Sequence, residues 1–183
     1  GNIVIYHRGG GLKYRSRILD HKRFFWNIPG LILSNEYDFF YNKLISLVCY
    51  SNGVLSFIIS PKKLMVGDII KNGFFNLSKG FSSFLYNFPI GSYLHNIEIN
   101  TFKGGQYCRS FGSYALLLQK DFFYSFLKLK SGKVVKVDSR NIGSYGIVNT
   151  FFFFYKKYSK AGFFRMYLWR PFVLFVTMNI INN

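Results

Sequence analysis

Acidic side chains are scarce in this chain, which carries 7 Asp and Glu against 24 Lys and Arg. General acid–base catalysis and magnesium sites are built mainly from grouped carboxylates. Glu36 and Asp38 are close in sequence, and a turn after Asp38 explains them as readily as a shared strand face does. The other acids are scattered: Asp20, Asp68, Glu98, Asp121 and Asp138. The shortage argues against an enzyme.

Cysteine and histidine are also few. The two cysteines, Cys49 and Cys108, cannot complete a structural zinc site by themselves, and they do not indicate a disulfide framework. The run Gly9-Gly10-Gly11 lacks the Gly-Lys-Ser/Thr ending of a phosphate-binding loop. No metal-ligand spacing connects the three histidines, which are His7, His21 and His95. We expect no catalytic residue and no cofactor, apart from magnesium bound by a neighbouring RNA.

Long apolar runs are absent as well. A membrane-spanning helix needs about 20 mostly apolar residues. The most apolar tract, residues 163–181, is interrupted by Arg165, Arg170 and Pro171. A peripheral membrane protein would need a basic amphipathic helix, and the glycine-rich pattern of this chain shows none. We therefore expect no membrane insertion, and we do not expect a homo-oligomer.

What the chain has in excess is positive charge and aromatic side chains. Its formal charge of +17 implies a polyanionic partner. Aromatic residues make up 21% of the chain, with 23 Phe and 14 Tyr, and they can fill cores or stack on unpaired bases. Phe, Tyr, Ile, Asn and Lys share A/T-rich codons, so their joint excess suggests an organellar genome.

Short alternating runs separated by turn residues predict an all-β chain. In the first half, strands are expected over residues 1–6, 12–18, 31–38, 45–50, 54–59 and 68–70. Asn52-Gly53 is a hairpin signal, and the set of short strands fits a small barrel of the OB type. In the second half, strands are expected over residues 114–119, 123–129 and 133–137. We place the boundary so that residues 1–86 form an OB-like RNA-binding barrel and 87–183 form a second barrel with an irregular basic C-terminal segment.

Basic residues concentrate in predicted loops and on one strand face. Lys13, Arg15 and Arg17 alternate along residues 12–18, about 6.6 Å apart, which is comparable to the spacing of backbone phosphates. No acid precedes Asp20, which favours phosphate binding over a solvated face of mixed charge. Phosphate and 2′-hydroxyl contacts dominate RNA recognition. The segments to which we assign this role are 6–23, 61–63, 103–109, 156–160 and 165–170.

Residues 95–115 form the central candidate site. Lys103 and Arg109 lie on either side of Gly104-Gly105 and Gln106. Backbone without side chains, placed beside cations, can approach a polyanion closely. We interpret the stretch as a glycine turn that joins the two barrels and contacts RNA with both.

Short motifs follow one another in a fixed order along the chain. They include His7-Arg8-Gly9-Gly10-Gly11, Glu36-Tyr37-Asp38, Pro61-Lys62, Asn87-x-Pro89, His95-Asn96-x-Glu98, Gly104-Gly105-Gln106, Lys160-Ala161-Gly162, Arg170-Pro171 and Met178-Asn179. In this order they resemble the large-subunit ribosomal protein L2 family. The resemblance covers nearly the whole chain, so it is more specific than any single motif.

The resemblance implies an OB-like barrel followed by an SH3-like barrel. It also implies binding to large-subunit ribosomal RNA near the peptidyl transferase region, with roles in subunit assembly and association. The partners would be ribosomal RNA and neighbouring ribosomal proteins, and the location a mitochondrion or, alternatively, a plastid. The competing hypothesis is a free-standing OB-type single-stranded nucleic-acid-binding protein, which does not explain the motifs in the second half.

Together, the motifs and the basic segments give a set of candidate RNA-binding residues: His7, Arg8, Gly9, Gly10, Gly11, Lys13, Arg15, Arg17, Lys22, Arg23, Lys62, Lys63, His95, Asn96, Lys103, Gly104, Gly105, Gln106, Arg109, Ser110, Lys160, Gly162, Arg165, Arg170 and Asn179. The family pattern continues with a histidine-rich segment after the Met-Asn pair. Here the residues are Ile180-Ile181-Asn182-Asn183, so no role of a family histidine is carried over to this chain.

Overall fold

The computed structural model describes residues 16–38, 43–73 and 78–150, and these residues belong to one compact unit. The strand expected over residues 1–6 and the C-terminal basic segment lie outside them. Of the strand expected over 12–18, the described part (residues 16–18) is not a strand. Leu19 makes a single parallel bridge to Phe57.

The first sheet is antiparallel and has four strands among the described residues. These are β1 (Gly30–Asp38), β2 (Lys43–Tyr50), β3 (Leu55–Ile59) and β4 (Ile69–Ile70), in the order β3-β2-β1-β4. Gly53 has a φ of 82° in the β2–β3 hairpin, where Asn-Gly predicted the turn. The alternation of β1 and β2 buries Ile32 and Val48 against Ile58 and Ile70. All four strands were predicted, to within two residues at each end.

Among the described residues, the second sheet has six strands and a different core. The elements that follow β4 are β5 (Ser82–Phe84), a short 3-10 helix (Leu85–Asn87), β6 (Tyr93–His95), β7 (Ile97–Glu98), β8 (Gly105–Tyr107), β9 (Ala115–Lys120), β10 (Tyr124–Leu129), β11 (Val134–Asp138) and β12 (Ile142–Tyr145). The strand order is β11-β10-β9-β6-β12-β5, and β7 and β8 form a separate pair. Leu85, Phe88, Leu94, Leu117 and Leu127 are fully buried in its core.

The fold class is confirmed as all-β, with an OB-like barrel followed by an SH3-like barrel. Strands β9, β10 and β11 were predicted, because each is a run of five or more residues bounded by turn residues. Strands β5 to β8 and β12 have two to four residues, which is too short for a period of two to be recognised. The domain boundary at residue 86 stays a prediction.

Candidate nucleic-acid interface

The loop that connects β7 to β8 is held from inside by a buried carboxylate. Glu98 is 1% exposed. Its Oε1 accepts the N–H of Gly104 at 2.9 Å, and its Oε2 accepts those of Ile142 at 3.1 Å and Phe102 at 3.3 Å. Three donors on one ionised acceptor fix the loop backbone to β12, since hydrogen bonds to a charged group are the stronger ones.

The side chain of Asn141 supports the same loop from its other side. Its Nδ2 donates to the carbonyl of Glu98 at 3.1 Å and to that of Ile99 at 2.8 Å. Asn141 is fully buried. The loop over residues 99–104 is therefore anchored near both its ends and presents a defined shape.

The glycine pair in this loop has two separate reasons to be glycine. Gly104 has a φ of 91°, a conformation that other residues adopt only with strain. A Cβ on Gly105 would overlap Oδ1 of Asn96 and would lie 2.5 Å from its Cγ and its carbonyl oxygen. Packing within the protein thus explains these glycines.

The segment that follows Asp20 docks on this loop. Gly105 donates its N–H to the carbonyl of His21 at 2.9 Å, and Asn96 Nδ2 donates to the same carbonyl at 3.3 Å. Nδ1 of His21 lies 2.9 Å from Oδ1 of Asn96. Two candidate segments that are far apart in sequence, 20–23 and 95–109, are therefore brought together.

The surface of this junction is cationic. The side chains of Lys22, Lys103 and Arg109 are exposed. Burial, together with the nearby charges of Lys43 and Arg109, lowers the pKa of His21. At neutral pH the positive charge therefore comes from lysine and arginine. Gly104 and Gly105, which were also predicted contacts, are buried. We call the three exposed cations the loop cluster.

A buried lysine lies beneath the loop cluster. Lys43 is 3% exposed, and its Nζ donates to the carbonyl of Arg109 at 3.4 Å. Burial lowers the pKa of Lys43 to about 8, against the opposing effect of Asp38. Lys43 was not among the predicted site residues, because its position at the start of β2 gave no sign of burial.

Three predicted RNA contacts have buried side chains with structural roles. Arg23 is 3% exposed and donates from Nε to Asn72 Oδ1 at 3.2 Å and from Nη2 to the carbonyl of Gly80 at 2.6 Å. Nδ1 of His95 lies 2.9 Å from the carbonyl of Gly146. Asn96 is 4% exposed and bonds to His21. Their side chains are buried and bonded within the protein, which favours a structural role; direct contact of these three residues with RNA stays a prediction.

The remaining described candidates are at the surface or engaged with other side chains. Lys62 and Lys63 are exposed, and the N–H of Lys62 donates to the carbonyl of Ile147 at 2.7 Å. Arg17 forms a 2.7 Å ion pair with Glu36. Ser110 is exposed and Gln106 is half-buried. Outside the described residues lie His7, Arg8, Gly9, Gly10, Gly11, Lys13, Arg15, Lys160, Gly162, Arg165, Arg170 and Asn179.

We expect His95 to make the protein sensitive to mild acid. Burial lowers its pKa from 6.5 to about 4, so the folded state disfavours the charged ring. Above pH 6.5 the ring is neutral in both the folded and the unfolded protein, so it does not reduce the free energy of unfolding. As the pH falls from 6.5 toward 4, the free energy of unfolding decreases by about 3 kcal/mol in total. Urea unfolding at a series of pH values should show a smaller loss over this range for His95→Gln. Equal losses in both proteins would contradict the assignment.

Neither a metal centre nor a membrane helix is found in the part of the chain that the structure describes. No three His, Cys, Asp or Glu side chains there are grouped so as to hold a metal ion. No helix in that part is long and apolar enough to cross a membrane.

Two curved β-sheets and an exposed cluster of cations, formed by Lys22, Lys103 and Arg109, define a basic β-barrel protein of the RNA-binding class. A family model described as the L2 ribosomal protein RNA-binding N-terminal domain matches residues 1–72, and the L2 C-terminal domain matches residues 78–183. The chain belongs to the ribosomal protein L2 family. It is therefore a structural, RNA-binding protein of the large ribosomal subunit and not an enzyme.

Individual relatives agree with this assignment. The large ribosomal subunit proteins uL2 of Buchnera aphidicola and Orientia tsutsugamushi are each 38% identical over 184 residues. The protein uL2m of Reclinomonas americana is 38% identical over 185 residues. In each case the match covers the whole of this chain and 67% of the relative.

Proposed function

We propose that this chain is a structural constituent of an organellar large ribosomal subunit, specifically the mitochondrial one. It binds large-subunit ribosomal RNA near the peptidyl transferase region and supports subunit assembly and association. The excess of residues with A/T-rich codons supports an organellar origin, and similarity to a protein named uL2m is consistent with it. The bacterial uL2 proteins are equally similar to this chain, so the proposed organellar location rests on composition and on divergence from the bacterial pattern.

The loop cluster carries the RNA-binding part of this proposal. Lys22, Lys103 and Arg109 present three exposed cations, while Gly104 and Gly105 are buried and donate their N–H groups within the protein. The cations can neutralise phosphates at the surface of this loop. The buried Glu98 and Asn96 fix the loop beforehand, so little conformational entropy is lost on binding. Lys62 and Lys63 would extend the contact along the RNA.

We expect Lys103→Ala and Arg109→Ala each to weaken RNA binding and to flatten its dependence on salt. Each phosphate contact contributes about 0.7 to 0.9 to the slope of log K against log salt concentration. Titrations of a large-subunit ribosomal RNA fragment at several salt concentrations measure this slope. Arg109→Lys, which keeps the charge, should leave the slope nearly unchanged.

Lys133→Ala is the matched control, since Lys133 is an exposed lysine in the turn between β10 and β11. It should reduce the slope less than either loop-cluster variant does. Equal slopes in the wild-type protein and in the Lys103 and Arg109 variants would assign both cations to solvent and remove the loop cluster from the RNA interface.

Sedimentation tests the proposal as a whole. In low magnesium and moderate salt, a ribosomal constituent should co-migrate with the large subunit from purified mitochondria. A free protein that binds any single-stranded oligonucleotide would favour the alternative of a free-standing OB-type binder. Co-migration with plastid ribosomes would correct the organelle and keep the ribosomal role.

A further inference from the structure

The edge of the second sheet carries a surface that RNA binding does not account for. Strand β11 is the last strand of that sheet among the described residues. Leu129 donates its N–H to the carbonyl of Lys133 at 2.9 Å, and Ser139 donates to that of Phe123 at 2.9 Å. Residues at every second position therefore bond to β10, because antiparallel pairs alternate. By this alternation, the backbone groups of Val134 and Lys136 point away from β10.

This edge lacks most of the devices that usually block strand addition. It has five residues in the sequence Val-Val-Lys-Val-Asp, with no proline and no bulge in its pairing with β10. Val134 is 50% exposed. Val135 is only half-buried at the margin of the core, so an added strand could cover it. Its protective features are its short length and the charge of Lys136, whose Nζ lies 3.7 Å from the centre of the Tyr124 ring.

An ordered apolar tip lies beside the end of β11. Phe122 and Phe123, in the turn between β9 and β10, are 88% and 66% exposed. The turn is fixed by the N–H of Asp121, which donates to the carbonyl of Tyr124 at 2.7 Å. Ser139 Oγ donates to the carbonyl of Asp121 at 3.1 Å. Two exposed phenylalanines on a fixed turn extend the edge as a hydrophobic contact surface.

The charge around the edge is positive. Lys128, Lys133 and Lys136 are all exposed on β10, β11 and the turn between them. The neighbouring acid, Asp138, accepts from Arg140 Nη2 at 2.9 Å, so its charge is compensated within the protein. An acidic partner is complementary to this surface.

We propose that β11 receives an additional β-strand from a partner protein, in the form of an extended acidic segment whose acidic residues alternate with apolar ones. Its backbone would bond to Val134 and Lys136, its apolar side chains would cover Val135, and its carboxylates would face the lysines. RNA fits this edge less well, because it cannot form a strand ladder with the outward backbone groups of β11. The proposal is independent of the ribosomal RNA contact.

The test uses the full chain and a fluorescein-labelled decapeptide of alternating Glu and Val as the probe. Val134→Pro removes an outward N–H without changing charge, and edge strands tolerate proline. We expect Val134→Pro to weaken binding at least tenfold and Val134→Ala to weaken it less than threefold. Binding of a ten-nucleotide oligouridine, measured in parallel, should not differ between these two variants.

Amide hydrogen exchange provides a readout that needs no variant. In the wild-type protein, the decapeptide should slow exchange at Val134 and Lys136 at least tenfold, and should leave Val135 and Val137, which face β10, unchanged. Three results would overturn the proposal: no binding of the peptide, equal affinity of the Val134→Pro and wild-type proteins, or slowed exchange that does not alternate along β11. Oligouridine that competes with the peptide and slows the same two amides would assign the edge to RNA.

Discussion

Glu98→Ala is expected to lower the free energy of unfolding by about 3 to 5 kcal/mol. The substitution leaves the N–H groups of Phe102, Gly104 and Ile142 without their carboxylate acceptor. Loss of a partner for a buried polar group costs about 1 to 3 kcal/mol for each group, and more when the acceptor is charged. Urea unfolding followed by circular dichroism measures the change.

Two further variants sharpen this test. Glu36→Ala is the control, because Glu36 is half-buried and pairs at the surface with Arg17; such pairs contribute less than about 1 kcal/mol. Glu98→Gln keeps the shape but places an NH₂ group against N–H donors, so we expect it to recover only part of the loss. If Glu98→Ala destabilises no more than Glu36→Ala, the carboxylate does not anchor the loop.

The same variant should affect RNA binding through the shape of the loop cluster. Lys103 and Arg109 keep their charges in Glu98→Ala, so the slope against salt should change little while affinity falls. Arg109→Ala should lower both. The comparison separates the positioning of the cations from their charge, because electrostatic contacts alone set the salt slope.

The features that could be predicted from the sequence are those carried by local pattern. Strands β1, β2, β9 and β10 each have six or more residues. The Asn-Gly turn and the surplus of exposed lysine and arginine follow from composition and short-range rules. Lys22, Lys103 and Arg109 were chosen on this basis, and the structure places them at the surface.

Burial that depends on distant segments could not be predicted from the sequence. Arg23 lies in a basic run that resembles a phosphate contact, and its burial depends on Asn72 and Gly80, about 50 residues later in the chain. His95 is buried and lies 2.9 Å from the carbonyl of Gly146, about 50 residues later in the chain, and this burial lowers its pKa to about 4. No local period carries this information. One sequence feature does indicate a buried polar group in this region. Glu98 is an isolated acid between Ile97 and Ile99, which suggests a structural carboxylate.

The central stretch is also placed differently from its prediction. The glycine turn connects β7 to β8 and does not link the first sheet to the second along the chain. Its contact with the first half is made through His21, whose carbonyl accepts from Gly105. We keep the prediction that both halves of the chain contribute to one surface as part of the proposed RNA interface. The two halves meet there through His21 and Gly105, and the glycine turn is not the link between them.

Gly105→Ala is expected to destabilise the protein by more than about 3 kcal/mol. The backbone of Gly105 needs no positive φ, so the effect is steric: the new Cβ would overlap the side chain and carbonyl of Asn96. Overpacking a rigid site typically costs about 1 to 3 kcal/mol, and β8 would also lose its bond to the carbonyl of His21. Gly132→Ala is the control, because Gly132 has a φ of 90° and open space around it, so only backbone strain is added.

A double-mutant cycle distinguishes the steric cause from a general weakness of the loop. Asn96→Ala removes the side-chain part of the overlap, although the carbonyl contact remains, and it also loses the two bonds to His21. In the Gly105→Ala background it should therefore cost at least 1 kcal/mol less than in the wild-type protein, which is the coupling expected for residues in contact. If the two substitutions change the free energy of unfolding additively, position 105 accommodates alanine without a steric clash with Asn96. In that case the glycine at this position would be left without a packing reason.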